Sequence, residues 1–186
     1  MAVKKKSATL KKKKGSALKK NVIKKMGPKR TAKKVGPVQK GYHSVTPCLT
    51  VNTAAKAIEY YKKVFGAKEV LRMERQDGKI AHAELKIGDA KIMLADECPE
   101  MNTFSPKTSD GAGFALYLYI KDVDAVVKRA VAAGAELIRP VENMFYGDRS
   151  GIVEDPFGHK WHIATHVENV SNAQVKKRAA ELFSKK

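Results

Sequence analysis

LTVNTAAKAIEYYKKVFG, residues 49–66, and LYIKDVDAVVKRAVAAG, residues 118–134, carry one pattern written twice. Each opens with a short alternating apolar segment, Leu49-Thr-Val51 or Leu118-Tyr-Ile120. A polar residue follows, Asn52 or Asp122, and then an apolar run at helical spacing. The first run uses Ala54, Ala57, Ile58, Tyr61, Val64 and Phe65 and stops at Gly66. The second uses Val123, Val126, Val127, Ala130 and Val131 and stops at Gly134. A glycine at such a stop is expected at positive φ, where it carries no Cβ penalty. An offset of 69 maps Leu49 onto Leu118, Ile58 onto Val127, Gly78 onto Gly147 and Leu94 onto Ile163.

Strand-like segments follow each helix. In the first half they are residues 69–75, 80–87 and 91–95, with Asp77-Gly78 and Gly88-Asp89 as turns. In the second they are residues 135–140, 144–148, 151–155 and 161–165. Each half reads β-α-β-β-β, a unit too small to bury its sheet face alone, so two are expected to pair in an α+β fold. The expected modules span about residues 45–98 and 114–168. A last amphipathic helix, starting at Ser171 or Asn172 and running to Lys186, offers Val175, Ala179, Leu182 and Phe183 as its packing side.

Charge divides the chain differently. Residues 1–40 hold 16 of the 37 Lys and Arg and none of the 19 Asp and Glu, leaving 21 basic against 19 acidic residues, a net of +2, in residues 41–186. The tail is expected to be disordered, with transient helix around residues 16–25, because like charges repel and its few apolar residues cannot offset ordering entropy. Lys4, Lys5, Lys6, Lys11, Lys12, Lys13, Lys14, Lys19, Lys20, Lys24 and Lys25 make it a polycation suited to non-specific DNA or RNA through counterion release. A solubilising extension is the alternative. The two cysteines, Cys48 and Cys98, have no metal or redox spacing, and no stretch is apolar enough to span a bilayer or serve as a secretory signal. A reducing cytoplasm is the expected compartment, with nucleoid association as the tail's variant of it.

The strings VTPCLTV (residues 45–51), AIEYYKKVFGA (57–67), HAELKIGDAKIMLADE (82–97), LYLYIKDVDAVV (116–127) and YGDRSGIVEDPFGHKWHIATHVENVS (146–171) resemble the glyoxalase/bleomycin resistance/dioxygenase, or vicinal oxygen chelate, superfamily. The likeness is to its PhnB-like branch and runs from about Tyr42 to near the C-terminus. The resemblance implies that each module curls its sheet into half of a cup, that the cup holds a small molecule, and that protomers form homodimers. Metal enzymes of this superfamily place ligands on the first and last strand of each module, here at Thr46, Met93, Ala115 and His162. The repeat supports that assignment, since each module-two position lies 69 residues after its module-one partner. Only His162 is a good donor for the hard N/O site such an ion requires. No cofactor is therefore expected, a divalent metal held by other ligands being the alternative.

Strand alternation puts Thr46, Cys48 and Thr50 on one strand face, Ala115, Tyr117 and Tyr119 on another, and His162 on a third with His166, and the resemblance implies that these line one cup together with Met93. The result is a mostly apolar pocket suited to an aromatic or amphipathic molecule. Core packing is the competing reading for both tyrosines, for Met93 and for Cys48. His162 and Glu84 are the candidates for proton transfer, with His82 beside Glu84. His166 and Glu168 form a conceivable two-donor metal pair. His43 is expected to face solvent. Asp155 is expected to bond the amides of the DPFGH turn that His159 ends. Arg149 is read as a salt bridge to Asp148 or Glu154, or as an anion contact. Three functions compete: a metal-free binder that sequesters or senses its ligand, a metal-dependent lyase, isomerase or dioxygenase, and a tail-mediated nucleic-acid-associated protein.

Overall fold

The computed structural model describes residues 36–184. The tail readings on residues 1–35, and Lys185 and Lys186 of the expected last helix, lie outside the described residues. Module one comprises β1 (Cys48–Val51), α1 (Ala54–Phe65), β2 (Lys68–Glu74), β3 (Ile80–Ile87) and β4 (Ala90–Asp96). Module two comprises β5 (Ala115–Tyr119), α2 (Val123–Ala132), β6 (Glu136–Asn143), β7 (Asp148–Glu154) and β8 (Lys160–His166), and α3 (Asn172–Phe183) follows. The α+β class and both βαβββ modules are as the pattern predicts, built as two four-stranded mixed sheets ordered β1-β4-β3-β2 and β5-β8-β7-β6.

The repeat is visible in the register. Cys48 stands opposite Met93 in the parallel pair β1–β4, and Tyr117 opposite His162 in β5–β8. The β3–β4 turn is the two residues Gly88-Asp89, whereas β7 and β8 are joined by the five residues 155–159. Residues 144–148 are not a strand of their own. Met144 N–H donates to Asp148 O at 2.7 Å and Gly147 N–H to Met144 O at 3.0 Å, closing a turn from which β7 starts. The preceding strand β6 runs on through Pro140, which an edge strand tolerates because the missing N–H faces no neighbour.

Both stop glycines have positive φ, 67° at Gly66 and 101° at Gly134. The helix starts hold a device not apparent in the local sequence. Asp96 Oδ1 accepts Ala54 N–H at 2.7 Å, and its Oδ2 accepts Ile80 N–H at 2.7 Å. In module two Asp122 caps Ala125 N–H as expected, and Thr165 Oγ1 also accepts Val123 N–H at 3.0 Å while donating to Ile120 O. Asp96 and Thr165 are 69 residues apart, so the last strand of each module caps that module's helix. The third helix opens with a Ser171–Gln174 capping box. Of its expected packing residues Val175 and Ala179 are half-buried, but Leu182 and Phe183 stay 49% and 65% exposed. Its Arg178 is held by a bidentate pair to Glu168 at 2.7 and 2.9 Å.

The core lies where the modules meet. Ile58, Tyr61, Val64 and Phe65 of α1 and Val123, Val126 and Ala130 of α2 are buried with Leu49, Leu85, Leu94, Val153, Trp161 and Ile163 from the sheets. Strands of one sheet do not lie against strands of the other; the modules join through α1, α2 and the 155–159 turn. Arg129 donates from Nε and Nη2 to Val64 O at the end of α1, satisfying a carbonyl the helix leaves free. At the centre Asp155, 1% exposed, accepts four hydrogen bonds. Phe157 and His159 N–H reach Oδ1 at 2.9 Å, and Tyr61 OH and Trp161 Nε1–H reach Oδ2 at 2.8 Å. The turn amides are the expected partners; the bond from Tyr61, 94 residues away, binds the two modules together.

Removing a carboxylate that satisfies four donors strands buried N–H and O–H groups at about 1–3 kcal/mol each. Asp155→Ala is therefore expected to lose about 4 kcal/mol in urea unfolding followed by the fluorescence of Trp161, the single tryptophan. A loss below about 1 kcal/mol would contradict this role.

Candidate functional site

The helices cover one face of each sheet, and among the described residues no helix or strand lies over the other face of module two. On module two the register lines up Arg139, Ile152, His162 and Tyr117 straight across the sheet. The adjoining row is Ser150, Ala164 and Tyr119, and beyond it Asp148 stands opposite His166. Tyr117 and Tyr119 are 46% and 61% exposed, so neither is a core aromatic. Their ring centroids are 5.1 Å apart, and Tyr117 lies 5.8 Å from the His162 ring. Both hydroxyls donate to Asp148 Oδ2, at 3.1 and 2.8 Å, and His166 Nδ1 bonds Oδ1 at 2.7 Å. Asp148 is 3% exposed and fixes the rings from beneath.

The electrostatics follow from these neighbours. His166 is held above the ordinary imidazole range, first by Asp148 and then by Asn169, whose Oδ1 lies 3.0 Å from Nε2. His162 is held below that range, first by burial and then by the positive charge of Arg139, which favours its neutral form. Tyr117 is pushed up by burial and by its contact with Tyr146, so it stays a phenol.

The module-one face has different chemistry in the same frame. Its row reads Leu71, Glu84, Met93 and Cys48. Lys91 Nζ donates to Glu84 Oε2 at 3.3 Å and sits 3.9 Å over the Tyr42 ring, while His82 Nε2 is 3.6 Å from Glu84 Oε1. Thr46 falls before β1, and its hydroxyl donates to His43 O; His43 itself is exposed. Cys48 is exposed and, with Thr50, Phe104, Phe114 and His159, lines a cleft of about 200 Å³.

Met93 thus belongs to one sheet, with Thr46 just ahead of its first strand, and Ala115 and His162 belong to the other; a single chain does not set the two sheets' strands face to face. These four side chains do not fit the ion of the metal enzymes, and among the described residues no three His, Cys, Asp or Glu side chains converge as ligands. His166 is engaged by Asp148, and Glu168 by Arg178. Arg149 departs from expectation. It pairs with Asp124 of α2 at 2.6 and 2.7 Å and with Asn143, because it points to the opposite face from Asp148. Glu154, the other expected partner, is taken by Lys107 at 2.9 Å.

A family model described as the Glyoxalase/Bleomycin resistance protein/Dioxygenase superfamily matches residues 41–163. The chain belongs to that superfamily. It is 38% identical over 135 residues to Mb0911c of Mycobacterium bovis, covering 71% of this chain and 89% of that one. The crystal structure of the Arabidopsis thaliana At5g48480 product superposes with a TM-score of 0.54 at 29% identity, covering 66% of this chain and 98% of the other. A PhnB protein from Bacillus cereus shares the fold with a TM-score of 0.53 at 18% identity, covering 66% and 99%. No helix among the described residues is long and apolar enough to cross a membrane.

The residues missed in the sequence are Arg139, Ser150, Tyr146 and Asn169, along with Asp148 in its role as hub. Their signal is cross-strand, and it needs the register.

The His166–Asp148 pair makes stability depend on pH. A raised histidine pKa contributes stability that is complete below the unfolded value, about 6.5, and is lost as pH rises through the folded value. The carboxyl of Asp148 is lowered on balance, its hydrogen bonds from His166, Tyr119 and Tyr117 outweighing the larger single effect of burial. Its contribution is present above about pH 4 and lost as pH falls through the folded value. His166→Ala should therefore destabilise most between about pH 4 and 6.5, with the deficit shrinking toward pH 9. Denaturant midpoints giving equal deficits at about pH 5.5 and 9 would contradict the pairing.

Proposed function

We propose that this chain is a metal-free small-molecule-binding protein of the superfamily, taking an aromatic or amphipathic ligand on the module-two face. The observation that carries this reading is the pair of exposed tyrosine rings held by one buried carboxylate, with a neutral imidazole beside them. Fixing exposed rings in advance lowers the entropic cost of binding. The open face is completed in this reading by a second copy of the chain. Two observations support that. Among the described residues no helix or strand lies over the outer face of the module-two sheet, and the edge strands β2 and β6 leave Val70, Leu71, Met73, Leu137 and Ile138 exposed.

2-Naphthol serves as a neutral fluorescent probe. Tyr117→Ala and Tyr119→Ala are each expected to weaken it about five-fold, from roughly 1 kcal/mol of ring contact. Affinity unchanged in both would move the site elsewhere. Elemental analysis of the purified protein is expected to find no stoichiometric Zn, Ni, Mn or Fe; one ion per chain would favour the metal-dependent enzyme instead.

The segregation of charge favours a second, additional reading, in which the lysine-rich tail associates with nucleic acid. If half of its 16 basic residues meet phosphates, log affinity for duplex DNA should fall with log salt at a slope of about −7. The full chain should be retained on DNA in this salt-dependent way, and a chain starting at Lys40 should not. Equal retention of both would refute the tail's role.

A further inference from the structure

Arg139 stands on the same open face as the tyrosines, and its guanidinium is under-used. Nη2 donates to Ser150 Oγ at 2.7 Å, while Nε is buried with no hydrogen-bond partner. A guanidinium offers five N–H donors in a planar fork, and a half-buried one without an acceptor is costly. The carboxylates that share its face are engaged or outlying. Asp148 receives both tyrosines and His166, and Glu154 is paired with Lys107. Glu136 and Glu142, on β6 itself, are exposed to solvent, and among the described residues no ion pair joins either to Arg139. His162, two strands over in the same row, adds a ring nitrogen that can donate.

We propose that Arg139, with Ser150 and His162, recognises an oxyanion on the ligand, a carboxylate or a phosphate, while the ligand's ring lies across Ile152 and His162 toward Tyr117. This rests on the module-two face being the binding surface. The row spans three strand spacings, about 14 Å between outer backbones. The long Arg139 side chain shortens that gap, so an aromatic acid of two fused rings matches its reach. Planar, bidentate oxyanion recognition is the task arginine suits and lysine does not. A site that leaves donors unpaired also discriminates against a neutral isostere more strongly than an apolar pocket could.

Three probes of one shape test this: 2-naphthoate, 2-naphthyl phosphate and the neutral 2-naphthamide, titrated against the full chain. At least one anion should bind about ten-fold more tightly than the amide, a difference of about 1.4 kcal/mol, and the tighter one names the anion. Arg139→Gln should erase that preference by weakening the anions about ten-fold more than 2-naphthamide; Arg139→Lys should keep a reduced preference. The His162 titration in NMR supplies a readout that mere structural support would not move. Binding of the anion should raise the His162 pKa by offsetting the Arg139 charge, and binding of the amide should not. Equal affinity for all three probes, or equal weakening of all three by Arg139→Gln, overturns the anion assignment and leaves the ring platform standing. Failure of these probes and of 2-naphthol to bind at all overturns both. Should Arg139→Gln fail to fold, the wild-type comparison and the His162 titration still decide.

Discussion

Asp155 is a buried carboxylate whose four partners are all neutral donors, and the arrangement of the two modules depends on it. Bonds from the Phe157 and His159 amides shape the turn, and bonds from Tyr61 and Trp161 reach into both modules. The turn needs its five residues to bring that oxygen inward, which the two-residue turn of module one cannot do. His159 then donates from Nε2 to Thr50 O, tying the turn to β1. Gly158, at φ +91°, lies against the linker so closely that a Cβ would come within 2.9 Å of Pro106 Cβ. With Tyr61, Phe65, Phe157 and Trp161 clustered around it, the helices are committed to the interior. Both sheets must then present their other faces outward, and the candidate site is a consequence of that choice.

The duplication is kept where burial enforces it and abandoned where solvent permits. Leu49 and Leu118, Ile58 and Val127, and Leu94 and Ile163 are all apolar. Across the open rows the equivalent residues are Leu71 and Arg139, Glu84 and Ile152, Met93 and His162, and Cys48 and Tyr117. Each charged position in one module is apolar in the other.

Much of this was legible in the chain because periodicity reports burial. Helical spacing from Ala54 to Phe65 and strand alternation from Ile80 to Ile87 match the observed elements, and Gly66 and Gly134 are where positive φ was required. Alternation grouped Tyr117 with Tyr119 and His162 with His166, each pair on its own strand, and it took the family resemblance to bring the two strands to one face. What was not legible is set by pairing at a distance. The capping by Asp96 and Thr165 reaches across 42 residues, and the Tyr61–Asp155 bond across 94. Arg149 was assigned neighbours near in sequence, but its partner lies on α2, and Arg139 acquires a role only once a register with two shifts sets it across from Ile152. The strand read at residues 144–148 failed because local apolar content cannot distinguish a strand from a turn closed by its own backbone.

The two buried aspartates of module two show how one device serves two ends. Each accepts from tyrosine hydroxyls, and each is almost wholly excluded from water. Asp155 has an indole, a phenol and two amides as donors, and burial pushes the Tyr61 phenol well up. Asp148 has an imidazole that is half in solvent. Protonation there changes the charge beneath the tyrosine rings. The joint is thus closed to solvent, whereas the pair beneath the tyrosines is open to it.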